Sequence, residues 1–221
     1  MSAERSSLTR VPLVVAVDGP AAAGKGTLAR RLAEALGLPY LDTGLLYRAV
    51  GRRLLDRGID PRDAVAAEAE ARALRPDDLR RDDLRGPAQD MAASAVAAIP
   101  AVRAALLDWQ RDFGRRHGAV MDGRDIGTVV FPDAPVKLFV TAGAAKRARR
   151  RWVELQARGV AAELAQVEAD LRARDAQDSG RAVAPLAAAP DATTLDTTTL
   201  GIEEAFAAAM RLVRARLEVN A

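Results

Sequence analysis

The chain has 221 residues, enough for one domain with a full core; 49% are hydrophobic and 4% aromatic, so the interior is built from Ala, Leu and Val. No cysteine is present, which excludes a disulfide framework, a zinc ribbon and a thiol nucleophile and suits a reducing cytoplasm; no apolar run approaches the roughly 18 residues of a membrane helix. The net charge of +3 and pI near 9.8 raise the question of nucleic acid, but the arginines alternate with Asp and Glu and no aromatic-studded basic stripe exists, so neither nucleic acid nor membrane is expected as a partner.

Residues 1–12 are polar, include Glu4 and read as a frayed tail rather than a signal peptide. Residues 13–18 form a continuous β-branched apolar run, the pattern of a strand buried on both faces. A Gly-rich turn follows, then a helix over 25–36 with Leu28, Leu32, Ala35 and Leu36 on one stripe, ended by Gly37. Residues 38–41 predict a second strand and 45–55 a helix stopped at Gly58. Asp60-Pro61 predicts the opening of another helix, with Pro at its first position. Residues 75–85 are highly charged and lack strand alternation. Two proline-started helices are expected over 87–98 and 100–113, with His117 in a loop and a third strand at 119–121 ending on Asp122. A fourth strand at 136–140 precedes a basic helix over 144–157. A helix over about 161–175 is broken by the turn Asp178-Ser179-Gly180, and a short strand at 193–195 and an amphipathic helix over 202–217 close the chain. Strands alternating with helices imply right-handed βαβ units and a parallel sheet covered on both faces.

Gly19-Pro20-Ala21-Ala22-Ala23-Gly24-Lys25-Gly26-Thr27 sits between the first strand and the first helix. The glycines let the backbone curl so that its N–H groups converge on a phosphate, and the helix N-terminus adds partial positive charge at the same spot. Only Lys25, Lys137 and Lys146 are lysines among 33 basic residues, so a lysine here suggests that a flexible point charge is needed. The hydroxyl arrives at Thr27 rather than directly after Lys25, a spacing typical of nucleoside-monophosphate kinases. Mg²⁺ is then expected to be held chiefly by phosphates and water. On the second strand's exit, Thr43 reads either as a helix cap or as an acceptor contact, and Arg48 either as a solvated charge or as a guanidinium over the cleft. Asp122, ending the third strand, is placed to orient Mg²⁺ through water; Arg124 offers a phosphate fork and Asp125 an acceptor for an exocyclic amine, which favours cytosine over uracil.

The stretches VDGPAAAGKGTLA, YLDTGLLYR, AASAVAAIPAVR, DGRDIGTVVFPDAPVKLFV, the RRR of the basic helix and RDAQDSGRAVAPL together resemble the bacterial cytidylate kinases from about Val11 onward. The resemblance implies an α/β fold of the P-loop NTPase type, a five-stranded parallel sheet flanked by helices with a lid and a monophosphate-binding flap. It divides the single domain into core (11–48, 115–145, 185–221), flap (49–114) and lid (146–184). It further implies that Ser94, Arg103 and Asp125 read the cytosine edge, that Arg48, Arg124 and Arg181 hold the CMP phosphate, and that Asp178 holds the ribose. Thr43 would touch the acceptor near its phosphate, while Lys25, Arg124, Arg150, Arg151 and Arg174 stabilise the transferring phosphoryl. Read without the resemblance, residues 147–151 are first a solvated helix face. The implied partners are ATP with Mg²⁺ and CMP or dCMP, acting on a cytoplasmic monomer. Long-form relatives carry a small antiparallel sheet where this chain has residues 75–85, so a reduced, mostly helical flap is expected here. Two alternatives remain open: another small P-loop kinase with a UMP, AMP or non-nucleotide acceptor, and a nucleotide-dependent switch.

Overall fold

The computed structural model describes residues 12–219; the tail expected over 1–12 lies, apart from Pro12, outside them. Five strands, β1 (Val14–Asp18), β2 (Tyr40–Asp42), β3 (Ala119–Gly123), β4 (Val136–Thr141) and β5 (Thr193–Asp196), form one parallel sheet in the order β2-β3-β1-β4-β5. The register runs Asp18↔Gly123, Asp42↔Asp122 and Asp18↔Phe139, so the carboxyl ends of β1, β2 and β3 lie within one residue of each other while β4 runs two residues further, to Thr141. The strand order reverses at β1, where an open α/β sheet leaves its ligand crevice.

The described residues form eight α-helices, α1 (Lys25–Leu36), α2 (Thr43–Asp56), α3 (Ala64–Arg72), α4 (Pro87–Ala97), α5 (Pro100–His117), α6 (Ala144–Ala157), α7 (Leu164–Ser179) and α8 (Ile202–Val219), of which α1, α2, α5 and α8 pack against the strands. Period-two alternation divides β1 between two cores. Val15 and Val17 pack with Leu28 and Leu32 of α1 and Val213 of α8, while Val14 and Ala16 pack with Met121, Ile126 and Phe113 on the opposite face. Two smaller clusters stand apart from the sheet. Leu46, Val50, Leu54, Ala67, Ala71, Val96, Val102 and Leu106 tie α2, α3, α4 and α5 together, and Leu155, Val167 and Leu171 join α6 to α7 beside Ala21.

Residues 75–85 form a 3₁₀ turn (Pro76–Arg80) and an irregular strap, with no strand between β2 and β3 among the described residues. Their charges have partners: Arg53 bonds both Glu70 and Asp78, Arg81 spans Asp56 and Asp83, and Leu84 is sunk to 1% exposure as the strap's apolar anchor. Three expectations are corrected. The helix expected to open on Pro61 starts at Ala64, because the Asp63 carboxylate accepts from Val65 and Ala66 and so caps it, while Asp60 to Asp63 closes a turn. α7 continues to Ser179, putting Asp178 in its last turn rather than in a loop. α5 runs on to His117, which is its last residue, because Gly114 lets the helix lie flush on Phe131.

Candidate active site

The phosphate loop leaves β1 through Gly19, where an added Cβ would stand 2.0 Å from the Val140 carbonyl oxygen, so no other residue fits against β4. Ala22 and Gly24 take left-handed backbone conformations that complete the curl, and Gly24 caps α1. Ala21, Ala22, Gly24, Lys25, Gly26 and Thr27 line the cleft; Gly19, Pro20 and Ala23 shape the loop from behind.

Lys25 Nζ stands 3.8 Å from Asp122 Oδ2 at the end of β3, and Tyr40 donates to Asp122 Oδ1 at 2.7 Å. Burial, with Arg124 nearby, pulls the Lys25 ammonium down from its usual range. Burial, with Asp42 opposite, pushes the Asp122 carboxyl up. The Lys25 shift describes a buried cation crowded by Arg124, which an arriving anion relieves, whereas the Asp122 shift describes a buried carboxyl beside a second carboxylate, Asp42, which an arriving cation relieves. Thr43 does not cap α2: it is the helix's first residue, and its hydroxyl donates to the Asp122 carbonyl at 2.8 Å, bracing β3 against β2. Gly123 is required by this brace, since a Cβ there would lie 2.7 Å from Thr43 Oγ1.

Asp18, the last residue of β1, accepts from Ile126 N and Gly127 N at 2.8 Å each. It thereby anchors the π-helical turn Ile126–Val130 that follows Arg124 and Asp125. Burial outweighs these bonds and raises its carboxyl to about 7. Arg124 Nε donates to Asp178 Oδ2 at 2.8 Å, and Arg181 pairs with the other Asp178 oxygen. Arg103, buried on α5, pairs with Asp125 Oδ2 and lies 5.5 Å from the Tyr47 ring centroid. Asp125 Oδ1 takes no hydrogen bond from any described residue. Ser94 bonds Gln177 across the cleft at 2.9 Å. Ser94 and Arg103, either side of Pro100 in sequence, both line the same cavity.

The basic helix α6 divides its arginines three ways. Arg147 is buried, bonding the Ala21 carbonyl at 3.2 Å and Asp175 at 2.7 Å, so it is a structural tie and not a solvated charge. Arg150 bonds the carbonyls of Ala23 and Thr197 and the Thr197 hydroxyl, which places it against the back of the loop and not among the cleft's lining residues. Arg151 faces the cleft, as do Arg48 and Arg174; burial lowers the Arg174 guanidinium to about 10, and its Nε is buried without a partner.

The cleft has a volume of about 1110 Å³ and is lined by twelve Lys or Arg side chains against seven Asp or Glu, which makes it a receptor for anions large enough to hold two nucleotides. Tyr40, Arg85 (2.8 Å from Asp42) and Asp90 also line it and were not singled out from the sequence. Tyr40 carried a signal, being one of only two tyrosines, both of which line the cleft. Arg85 and Asp90 sit among many similar residues and carried none.

A glycine loop between a buried strand and a helix, a lysine at its end and a ring of arginines facing it define a P-loop phosphotransferase. The profile described as Cytidylate kinase matches residues 15–215. This chain belongs to the cytidylate kinase family. Among its relatives, the cytidylate kinase of Granulibacter bethesdensis is 62% identical over 202 residues, 91% of this chain and 97% of that protein. That of Acidiphilium cryptum is 61% identical over 202 residues, 91% and 95% of the two chains. Among solved structures, a gluconokinase from Sinorhizobium meliloti 1021 superposes with a TM-score of 0.51 at 16% identity, covering 96% of this chain and 97% of that one, a likeness of fold alone.

Proposed function

We infer that this chain transfers the γ-phosphoryl group of ATP to CMP or dCMP, giving ADP and CDP or dCDP. One observation carries the choice of acceptor beyond family membership: the buried Arg103–Asp125 pair lies in the same cleft as the phosphate loop and leaves Asp125 Oδ1 unengaged. A guanidinium beside a free carboxylate oxygen offers donor and acceptor together, the complement of a cytosine edge with its ring acceptors and amine donor.

An oxygen of the acceptor's phosphate bonds to the γ-phosphorus as the bond from that phosphorus to the bridging oxygen breaks, and the bridging oxygen leaves on ADP. The attacking oxygen is already anionic, so no general base is needed. The protein's work is alignment and charge neutralisation. The loop N–H groups and Lys25 hold the donor's phosphates; Arg48, Arg124 and Arg181 hold the acceptor's phosphate, and Thr43 lies beside it. Asp178 meets the ribose, and Ser94 supports the base. Arg151 and Arg174 cover the transferring group, which Arg150 joins only by leaving Thr197.

Mg²⁺ bound with ATP supplies further neutralisation of the β- and γ-phosphates. Asp122, through water, and the Thr27 hydroxyl would hold it. Such an ion is carried mainly by phosphate and water. The α2–α5 and α6–α7 clusters each have an apolar core of their own, which supports residues 49–114 and 146–184 acting as flap and lid that exclude water. The test is coupled-assay turnover of ATP with CMP, dCMP, UMP and AMP side by side. CMP and dCMP should lead, and equal rates on UMP and CMP would remove the role given to Asp125.

A further inference from the structure

Asp90 stands at the meeting point of three arginines from three helices. It projects from α4 with its carboxylate 3.0 Å from Arg48 Nε of α2 and 3.5 Å from Arg174 Nη1 of α7, and it accepts from Arg151 Nη2 of α6. Its side chain is only 16% exposed. Burial pushes the Asp90 carboxyl up, but Arg48, Arg174 and Arg151 together pull it below its usual value, so it is anionic at any working pH. Arg174 faces Arg48 and Arg124 as well, and this crowding of like charges is relieved at Asp90 and Asp178. The other polar bridge described from α4 to α6 or α7 is the Ser94–Gln177 pair.

A carboxylate and a phosphate each offer two acceptor oxygens that the planar fork of a guanidinium can engage. We propose that Asp90 is a specificity residue whose carboxylate takes the place of a substrate phosphate, latching α4 to α6 and α7 and competing with that phosphate for Arg48, Arg151 and Arg174. This rests on those arginines being the phosphate-holding set argued above. Stray anions then meet arginines already satisfied, whereas a nucleotide brings enough additional contacts to displace the carboxylate. Apparent affinity is lowered by the fraction of molecules whose arginines are engaged.

The experiment is calorimetric titration of the ligand-free protein, Asp90→Asn and Asp90→Glu with CMP and separately with inorganic phosphate, alongside steady-state kinetics. Asp90→Asn should bind both roughly three- to tenfold more tightly, and its KM for CMP should fall by more than kcat changes. Without ligand its α6–α7 segment should be cut faster by trypsin. Asp90→Glu, which keeps the charge, should return towards the parent in all three. Equal or weaker phosphate binding by Asp90→Asn overturns the latch. Tighter phosphate binding with no CMP turnover by the parent would leave the latch standing and strike the acceptor assignment instead.

Discussion

Replacing Asp125 by Asn tests the acceptor assignment directly. The substitution keeps size and shape but removes the anion from a buried pair. Arg103 is left in contact with the Ala97 carbonyl at 3.4 Å and the Tyr47 ring, with Asp178 as a nearby anion that it does not hydrogen-bond. A hydrogen bond to a charged group contributes about 1.5–3 kcal/mol, against about 0.5–1.5 for a neutral pair. Loss of the charged acceptor for the cytosine amine should therefore lower kcat/KM for CMP by roughly 10- to 100-fold, at 1.36 kcal/mol per tenfold. If the new amide turns its NH₂ towards the base, it opposes cytosine's amine and suits uracil's carbonyl, so UMP should lose less than CMP or gain. A coupled spectrophotometric assay on both acceptors reads this as a fall in the CMP:UMP preference. Thermal unfolding should drop as well, because a buried guanidinium has lost its counter-charge. A preference unchanged within threefold, in a folded variant, would refute the reasoning.

Lys25→Met should cut turnover by about 10²- to 10³-fold or more while circular dichroism stays that of the parent, since the lysine touches ligand phosphate and little of the core. Gly19→Ala should fail to yield stable protein, as its Cβ has no room beside the Val140 carbonyl; a soluble variant with a parental melting temperature would contradict that geometry. Asp18 gives a pH signature. Its carboxyl is raised from 3.8 to about 7 on folding, so the folded state holds its proton longer, and the contribution is largest below 3.8 and lost as pH rises through 7. Asp18→Asn lacks this loss, so the parent's stability advantage over the variant should shrink by on the order of 1–3 kcal/mol between pH 5 and 8 in denaturant titrations. A gap independent of pH would mean the carboxyl titrates normally.

The fold and the donor half of the site were legible in the chain because both are local. A β-branched run, a glycine loop and a lysine before an amphipathic helix specify strand, cradle and helix within about twenty neighbouring residues, and physical chemistry needs no distant partner to read them. Residues 75–85 were equally readable as lacking strands, since nothing in them alternates. The acceptor half was suggested by resemblance and brought together only by tertiary structure. Ser94 and Gln177 meet across 83 positions and Arg124 and Asp178 across 54. Charged residues look alike along the chain. Arg147, Arg150 and Arg151 share one helical run, yet packing makes the first a buried tie, the second a clamp on Thr197 and the third a cleft residue. Which arginine meets which anion depends on helix rotation and on where α6 and α7 land on the loop, and those are set by long-range packing. The cradle is therefore a property of the sequence, whereas the charge pattern facing it, Asp90 included, is a property of the fold.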